Sequence, residues 1–412
     1  MTTRAIPQER VNLGYRRGDA GYRRITAALF AAGMMTFVAM YCAQAVLPAI
    51  SDDFAVSPAA SALAVSATTG LLALAIIPAS ALSERFGRTT VMTVSAVASA
   101  LIGLVLPLSP SMSVLVVLRA LQGVALAGVP ATAMAYLAEE VDRRHLGAAM
   151  GRYIAGTTIG GLAGRLVASF TLDLGTWRWA LEIAALVALA FTVLFVRLAP
   201  ASRYFSPQPV GLHATSRAIV QHLRSPALLG LFAIGLLLMG SFVSLYNMLG
   251  FRLSAAPFNL PDAVVGAIFL MYLSGTVTAA LAGRIAERFG RSKVLLASEA
   301  VMLLGLLLTV PSNLPAVLVG VLLFTAGFFA AHAVASGWVG LLAREHRAEA
   351  SSLYLFAYYV GSSVLGACAG LAFSSGGWGA EVAYIAVFLV VALVVALVVA
   401  AVVAHLARRT VR

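Results

Sequence analysis

Twelve stretches of this chain are each apolar over about 20 residues, and nothing else in its 412 residues limits the possible folds so severely. They run at approximately 25–47, 58–79, 89–108, 112–137, 146–171, 178–199, 227–250, 262–283, 293–311, 314–341, 350–374 and 380–407. A helix rises 1.5 Å per residue, so each run is long enough to cross a hydrocarbon layer of about 30 Å. Composition agrees: 61% of residues are hydrophobic and 11% charged, against about 45–50% and about 25% in soluble domains. The runs are continuous and rich in Ala, Leu, Val and Gly, whereas a membrane β-barrel alternates apolar and polar residues in short segments. An all-α integral membrane protein with 12 transmembrane helices is expected. The first run is itself long enough to span, so no cleavable signal peptide is expected. Cys42 and Cys368 fall inside runs, where they act as small apolar residues.

The formal charge of +12 takes its meaning from placement. Of the 28 Lys and Arg residues, 24 lie in the two tails, the even-numbered connections and the span ends beside them. Arg178 and Arg252 stand on odd-numbered connections, and Arg119 and Arg165 lie within spans. By the positive-inside rule both termini are cytoplasmic, and the basic balance reads as a topology signal with no nucleic-acid partner. The chain divides into a cytoplasmic tail at 1–24, a six-helix bundle at 25–199, a cytoplasmic linker at 200–226, a second bundle at 227–407 and a cytoplasmic tail at 408–412. The linker is the longest polar interval and holds four prolines.

The two bundles echo each other. The pentapeptide "ERFGR" stands at 84–88 and again at 287–291, an offset of 203 residues. The same offset maps Gln44 onto Asn247, and an offset of 205 maps Gly156 and Gly161 onto Gly361 and Gly366. Two tandem six-helix units account for all of these. Because six is even, the copies share one orientation, which places a pseudo-twofold axis along the membrane normal and a cavity between the halves near the midplane.

On these residues the chain resembles the major facilitator superfamily over essentially all twelve spans. That family's Gly-x-x-x-Asp-Arg-x-Gly-Arg loop is matched by Ser80, Glu84, Arg85, Gly87 and Arg88, and again by Gly283, Glu287, Arg288, Gly290 and Arg291, with Ser and Glu as the departures. A helix 4 pattern is matched by Arg119, Gln122 and Gly123. A glycine-rich helix 5 element is matched by Gly156, Gly160, Gly161, Gly164 and Arg165, without the family's proline. Gln44, Leu47 and Pro48 at the end of span one, with Trp177 and Arg178 after span five, are most similar to bacterial twelve-span efflux permeases of the drug/proton antiporter and sugar-efflux type. The resemblance implies a monomer that exports a drug-like solute, sugar or metabolite across the cell membrane by proton antiport and alternating access. A proton symporter or uniporter importing a small metabolite is the alternative. No Walker A pattern is present, so the proton gradient is the expected energy source, with no cofactor and no metal. No convergent His, Asp or Cys cluster points to an enzyme, and no soluble domain points to a sensor.

The resemblance further implies that Glu84 caps span eleven near Ser351 and Glu287 caps span five near Gly147, latching the cytoplasmic side shut; the plainer reading is a tight turn with topology-setting arginines. Arg119 lies about eight residues inside span four, where an Arg costs several kcal/mol unless it meets water or a partner. Arg165 lies six residues from the outer end of span five, at similar depth, and Glu182 a few residues into span six. The three form a candidate proton-coupling cluster with Glu182 as the carrier, or else a permanent ion pair tying spans four to six together. His332, mid-span, is a further relay or substrate candidate, or a helix histidine bonded to a neighbour. Glu299, six residues from Lys293, reads as a snorkelling or packing residue. By family analogy spans 1, 4, 7 and 10 line the cavity. Phe37, Tyr41 and Gln44 share one face of the first, Gln122 lies on the fourth, and Phe242, Tyr246 and Asn247 supply an aromatic-plus-amide face on the seventh. Gln44 and Asn247 should face water or each other. The glycines of span five, with Gly361, Gly366 and Gly370 in span eleven, suit close helix packing, with a hinge role as the alternative.

Overall fold

The computed structural model describes residues 14–205, 212–343 and 345–410; residues 1–13 of the N-terminal tail, 206–211 of the linker and 411–412 of the C-terminal tail lie outside the described residues. The expected spans are helical. They are α1 (Ala20–Asp53), α2 (Pro58–Phe86), α3 (Arg88–Leu108), α4 (Met112–Glu140), α5 (Arg143–Leu174), α6 (Trp177–Leu198), α7 (Pro226–Ser254), α8 (Asp262–Phe289), α9 (Arg291–Leu308) and α10 (Leu314–Leu342). A last helical stretch, Arg347–Thr410, breaks at Gly376 and Gly377, the latter at φ 63°, and supplies α11 (347–375) and α12 (378–410). Among the described residues nine stretches are long and apolar enough to cross a membrane by those measures alone. The last of them holds α11 and α12, and α5 and α9 complete the twelve: α5 is diluted by glycines, and α9 carries Arg291, Lys293 and Glu299 within 18 residues.

The helices overrun the sequence boundaries at both ends. α1 begins at Ala20 and the last helix continues to Thr410. The linker carries a short helix, Leu212–Leu223, whose His222 Nε2 lies 3.0 Å from the His346 carbonyl oxygen. Glu84 and Glu287 sit in the last turns of α2 and α8, because both helices continue until Gly87 and Gly290 end them at φ 96° and φ 93°. Those two turns have nearly equal ψ as well, 145° and 140°, so the repeat extends to backbone conformation that only glycine adopts freely.

Three spans depart from a regular helix at mid-depth. α1 tightens into a 3-10 turn over Cys42–Val46, just before Pro48, which lacks the N–H that would continue an α-helical ladder. α8 does the same over Ile268–Met271, and α4 is interrupted at Ala127 before Pro130. The face bearing the termini is fastened by a strap at the chain start. Tyr15 exchanges backbone hydrogen bonds with the α4–α5 connection, its N–H donating to Glu140 (2.8 Å) and its carbonyl accepting from Asp142 (3.1 Å). The Asp142 carboxylate accepts the Arg144 N–H at 2.9 Å and pairs with Arg16 at 3.3 Å. Those two contacts, the Arg144 N–H first, hold its carboxyl below the usual carboxylate range.

Candidate functional site

The halves meet along the face that carries the odd-numbered connections. Gly370 of α11 packs directly on Ala59 of α2, and Gly266 of α8 on Ser169 of α5. The Ser363 hydroxyl of α11 donates to the Ser66 carbonyl of α2 at 2.7 Å, and Ala263 N–H donates to Asp173 Oδ1 at 3.2 Å. Toward the face with the termini the same helix pairs part. Cβ atoms added at Gly147 and Gly151 of α5, or at Gly283 and Gly290 at the end of α8, would meet nothing within 4 Å. The expected latches are therefore not engaged in this conformation. Glu84 instead pairs with Arg88 at 2.7 Å, and Arg88 also pairs with Glu139 at 2.9 Å and donates to the Ser83 hydroxyl at 2.6 Å. Arg88 is thus a buried link between the α2–α3 turn and α4, more than a topology anchor. Leu342 stands 203 residues after Glu139, so the second copy lacks that acid, and Glu287 is exposed. Ser80 accepts the Ser83 hydroxyl through its carbonyl, and a Cβ added at Gly283 would meet nothing within 4 Å.

Where the closed side gives way to the open one, the two repeat-related amides meet. Gln44 Nε2 donates to Asn247 Oδ1 at 2.7 Å, and Asn247 Nδ2 donates to the Gly366 carbonyl at 3.2 Å. The Gln44 carbonyl oxygen accepts Arg165 Nε at 2.7 Å, while Arg165 Nη1 donates to the Gly161 carbonyl at 2.7 Å. The guanidinium carbon lies 4.3 Å from the centre of the Tyr41 ring on its own half, and 4.6 Å and 5.2 Å from Tyr272 and Phe269 of α8 on the other. Arg165 therefore bridges the halves by cation–π contact as well as through Gln44.

Glu182 does not join it. The five ion pairs among the described residues include none of Arg119, Arg165 and Glu182. Arg119 is fully buried and spends its donors on backbone: Ala64 (2.6 Å), Ala39 (2.7 Å) and Met40 (2.6 Å), plus the Gln122 side-chain oxygen (2.6 Å). Ala39 and Met40 lie just before the 3-10 turn of α1, where helical carbonyls are least well satisfied. The expected proton cluster is thus replaced by a structural pin joining α4 to α1 and α2. Gln122 belongs to the same pin, donates to the Ser99 carbonyl at 3.3 Å, and faces α3 instead of the cavity.

On α7, Phe242 and Tyr246 are buried in an aromatic cluster with α8 and α10. Phe242 stacks on Phe328 at 3.9 Å, and the Tyr246 hydroxyl lies 2.7 Å from Thr325 Oγ1. Phe37, Tyr358 and His332 are half-buried beside this cluster. The His332 ring lies tilted against Tyr358 with centroids 4.8 Å apart, and its Nδ1 lies 2.9 Å from the Tyr354 hydroxyl. Tyr354 in turn lies within electrostatic range of Glu299. Glu299 is fully buried, and neither of its oxygens has a hydrogen-bond partner among the described residues, so it neither snorkels nor pairs with Lys293. Glu381 of α12 is buried and unpartnered in the same way.

The glycines bring α1 and α5 into backbone contact. Gly156 packs on the Phe30 carbonyl, and Cβ atoms at Gly160 and Gly164 would stand 2.6 Å from the Met34 carbonyl oxygen and 2.8 Å from Val38 Cα. Gly161 faces Arg165 and Phe37 instead. In the second half Gly361 packs on the Leu236 backbone and Gly366 on the Val243 side chain, which brings α11 to α7 in the same manner. Sequence reasoning missed Tyr272, Phe269, Tyr358 and Ser362. Ser362–Ser363, a hydroxyl pair within an apolar run, was the available signal for α11.

The family model described as Major Facilitator Superfamily matches residues 29–279 and 253–410. The chain is 42% identical over 378 residues to the inner membrane transport protein YnfM of Escherichia coli, covering 91% of this chain and 90% of that one. It is 40% identical over 375 residues to the uncharacterized MFS-type transporter YybF of Bacillus subtilis, covering 91% and 93%. Among solved structures, the fold matches an inward-facing, occupied bacterial homologue of the lysosomal transporter Spinster, with TM-score 0.73, 14% identity and coverage of 93% and 98%. It also matches a partially occluded inward-open conformation of the xylose transporter XylE of E. coli, with TM-score 0.70, 16% identity and coverage of 91% and 98%.

Proposed function

Because the chain belongs to the major facilitator superfamily, a family of membrane transporters and not enzymes, we propose that it is a secondary active transporter of the cytoplasmic membrane, exporting a small organic solute in exchange for protons. The observation that carries this reading is the asymmetric interface. Two repeat-related bundles grip each other along one face and part along the other, with an amide, aromatic and arginine cluster at the boundary. The 24 basic residues of the tails, the even-numbered connections and the span ends beside them support a cytoplasmic parted face by the positive-inside rule, and on this reading the conformation is open inward. Rocking about the midplane would part Gln44 from Asn247 and Arg165 from Tyr272, and engage the Glu84 and Glu287 helix ends. The protein acts as a monomer on this reading.

The proton carrier in this scheme is Glu299. An ionised carboxylate without a partner inside a bundle costs several kcal/mol, so Glu299 has reason to exchange a proton as the helices around it shift. Tyr354 and His332 link it to the half-buried rings of the cavity. Proteoliposomes of defined orientation carrying an internal pH dye test the coupling with a panel of solutes: a carboxylate, a sugar and a lipophilic cation. A transported solute should drive protons the opposite way, and Glu299→Gln should keep solute binding but lose the proton flux. Protons moving with the solute would contradict antiport and favour the importing symporter.

A further inference from the structure

We infer that Arg165 is the docking point for an anionic group of the substrate, specifically the carboxylate of a small aromatic acid, held jointly with Tyr272. This rests on the transporter reading and names the substrate class of the same chamber. Arg165 is 2% exposed, yet no carboxylate of the protein stands within ion-pair distance among the described residues. A buried guanidinium normally acquires an acidic partner, because a desolvated charge with none is costly. Here two of its nitrogens are held, Nε by Gln44 and Nη1 by Gly161, and Nη2 has no hydrogen-bond acceptor among the described residues. The guanidinium is thus oriented by the protein and left with donor capacity unused, as a planar fork awaiting a bidentate or single-oxygen acceptor requires.

A hydroxyl beside it is left over in the same way. Tyr272 Oη is buried and without a partner among the described residues. The Tyr272 ring lies against the guanidinium at 4.6 Å, with the Tyr246 ring 4.9 Å away. Buried hydroxyls are satisfied in most proteins, so an orphan beside an unpaired cation is a coherent donor set. All the surplus is of one kind. A carboxylate would accept from Nη2 and from the Tyr272 hydroxyl, and it would do so from α5 and α8 at once, joining the two halves. The neighbouring walls are rings: Phe37 and Tyr41 on one side, Tyr358 and the Phe242–Phe328 stack on the other. An aromatic body satisfies those walls, whereas a sugar would leave its hydroxyls unpaired there.

The probe is benzoate against its neutral isostere benzamide, titrated into the purified full-length protein and read by thermal stabilisation. Benzoate should raise the melting temperature in a concentration-dependent manner and benzamide should not. Arg165→Gln should weaken benzoate binding at least tenfold, Arg165→Lys less so. Tyr272→Phe, which keeps the ring against the guanidinium, should weaken it several-fold with the protein still folded. Should Arg165→Gln fail to fold, Tyr272→Phe still decides the matter. Equal stabilisation by benzamide, no stabilisation by benzoate, or unaltered benzoate affinity in Tyr272→Phe would each overturn the assignment. The two readings fail separately: a lipophilic cation that drives proton flux without benzoate binding sinks the carboxylate site alone, whereas benzoate binding with no solute driving any proton flux sinks the antiport.

Discussion

Replacing Asn247 by Leu, similar in size but unable to hydrogen-bond, isolates the contact on which the closed face turns. In this conformation Asn247 Oδ1 takes the Gln44 amide at 2.7 Å, and both residues are nearly fully buried. The bond from Asn247 Nδ2 to Gly366 lies within one half and persists in either facing, so its loss cancels from the comparison. What remains is one amide donor on Gln44, buried without an acceptor when the face is shut and free to reach water when it opens. Leaving such a donor unsatisfied costs about 1–3 kcal/mol, which shifts the equilibrium between facings about 5–150-fold toward opening. Replacing both residues by Leu removes the Gln44 donor as well as the bond, and the Arg165 Nε left unpaired is common to Gln44→Leu and the double variant, so the cycle should give a coupling of about 0.5–1.5 kcal/mol. Pulsed electron paramagnetic resonance between nitroxides at Asp52 and Ser375, exposed on the closed face in opposite halves, reads the populations. Unchanged distance distributions in Asn247→Leu, or single effects that add to within about 0.3 kcal/mol, would refute the reasoning.

Three further outcomes follow from the same geometry. Arg119→Met strips four acceptors of a charged donor at once and should cost the folded protein about 3–5 kcal/mol, seen as loss of monodisperse material in size-exclusion chromatography. Gly160→Ala drives a methyl onto the Met34 carbonyl and should destabilise by about 1–3 kcal/mol, whereas Gly147→Ala, with nothing nearby, should leave the melting temperature unchanged or slightly raised. Arg88→Met leaves Glu139 without its cation and should lower the melting temperature clearly, while Arg291→Met, at the repeat-related position without an acid on α10, should stay within about 0.5 kcal/mol of the parent.

Much of the architecture was legible because the duplication left marks in the sequence. The 203-residue offset pairs Gln44 with Asn247, and those two amides bond to each other across the interface. It likewise paired Gly87 with Gly290, whose backbones match to within a few degrees. The chemistry of the charged residues was harder to read. Depth within a span shows that Arg119, Arg165 and Glu182 are costly there, but not which neighbour meets them. The 3-10 turn of α1, invisible to periodicity, offers Arg119 backbone carbonyls in place of a carboxylate. Gln122 was assigned to the cavity by its helix number, and its actual face is set by that same arginine. Lys293 stands close to Glu299 in sequence, yet the two sit on different sides of α9, and only packing reveals an acid with no partner. The aromatic half of the Arg165 site comes from α8, a helix whose Phe269 and Tyr272 carry no signal until the other half is folded against them.

Alternating access with the odd-numbered face closed is tested most directly by a cross-link between Gly70 of α2 and Ser363 of α11, where an added Cβ stands 3.1 Å from the serine Cβ. In a background with Cys42 and Cys368 replaced by Ala, the Gly70→Cys/Ser363→Cys pair should oxidise to a disulfide, stop solute-driven proton flux in proteoliposomes, and regain it on reduction. A pair that oxidises fully while flux continues unabated, or that resists oxidation in the folded protein, would contradict the account.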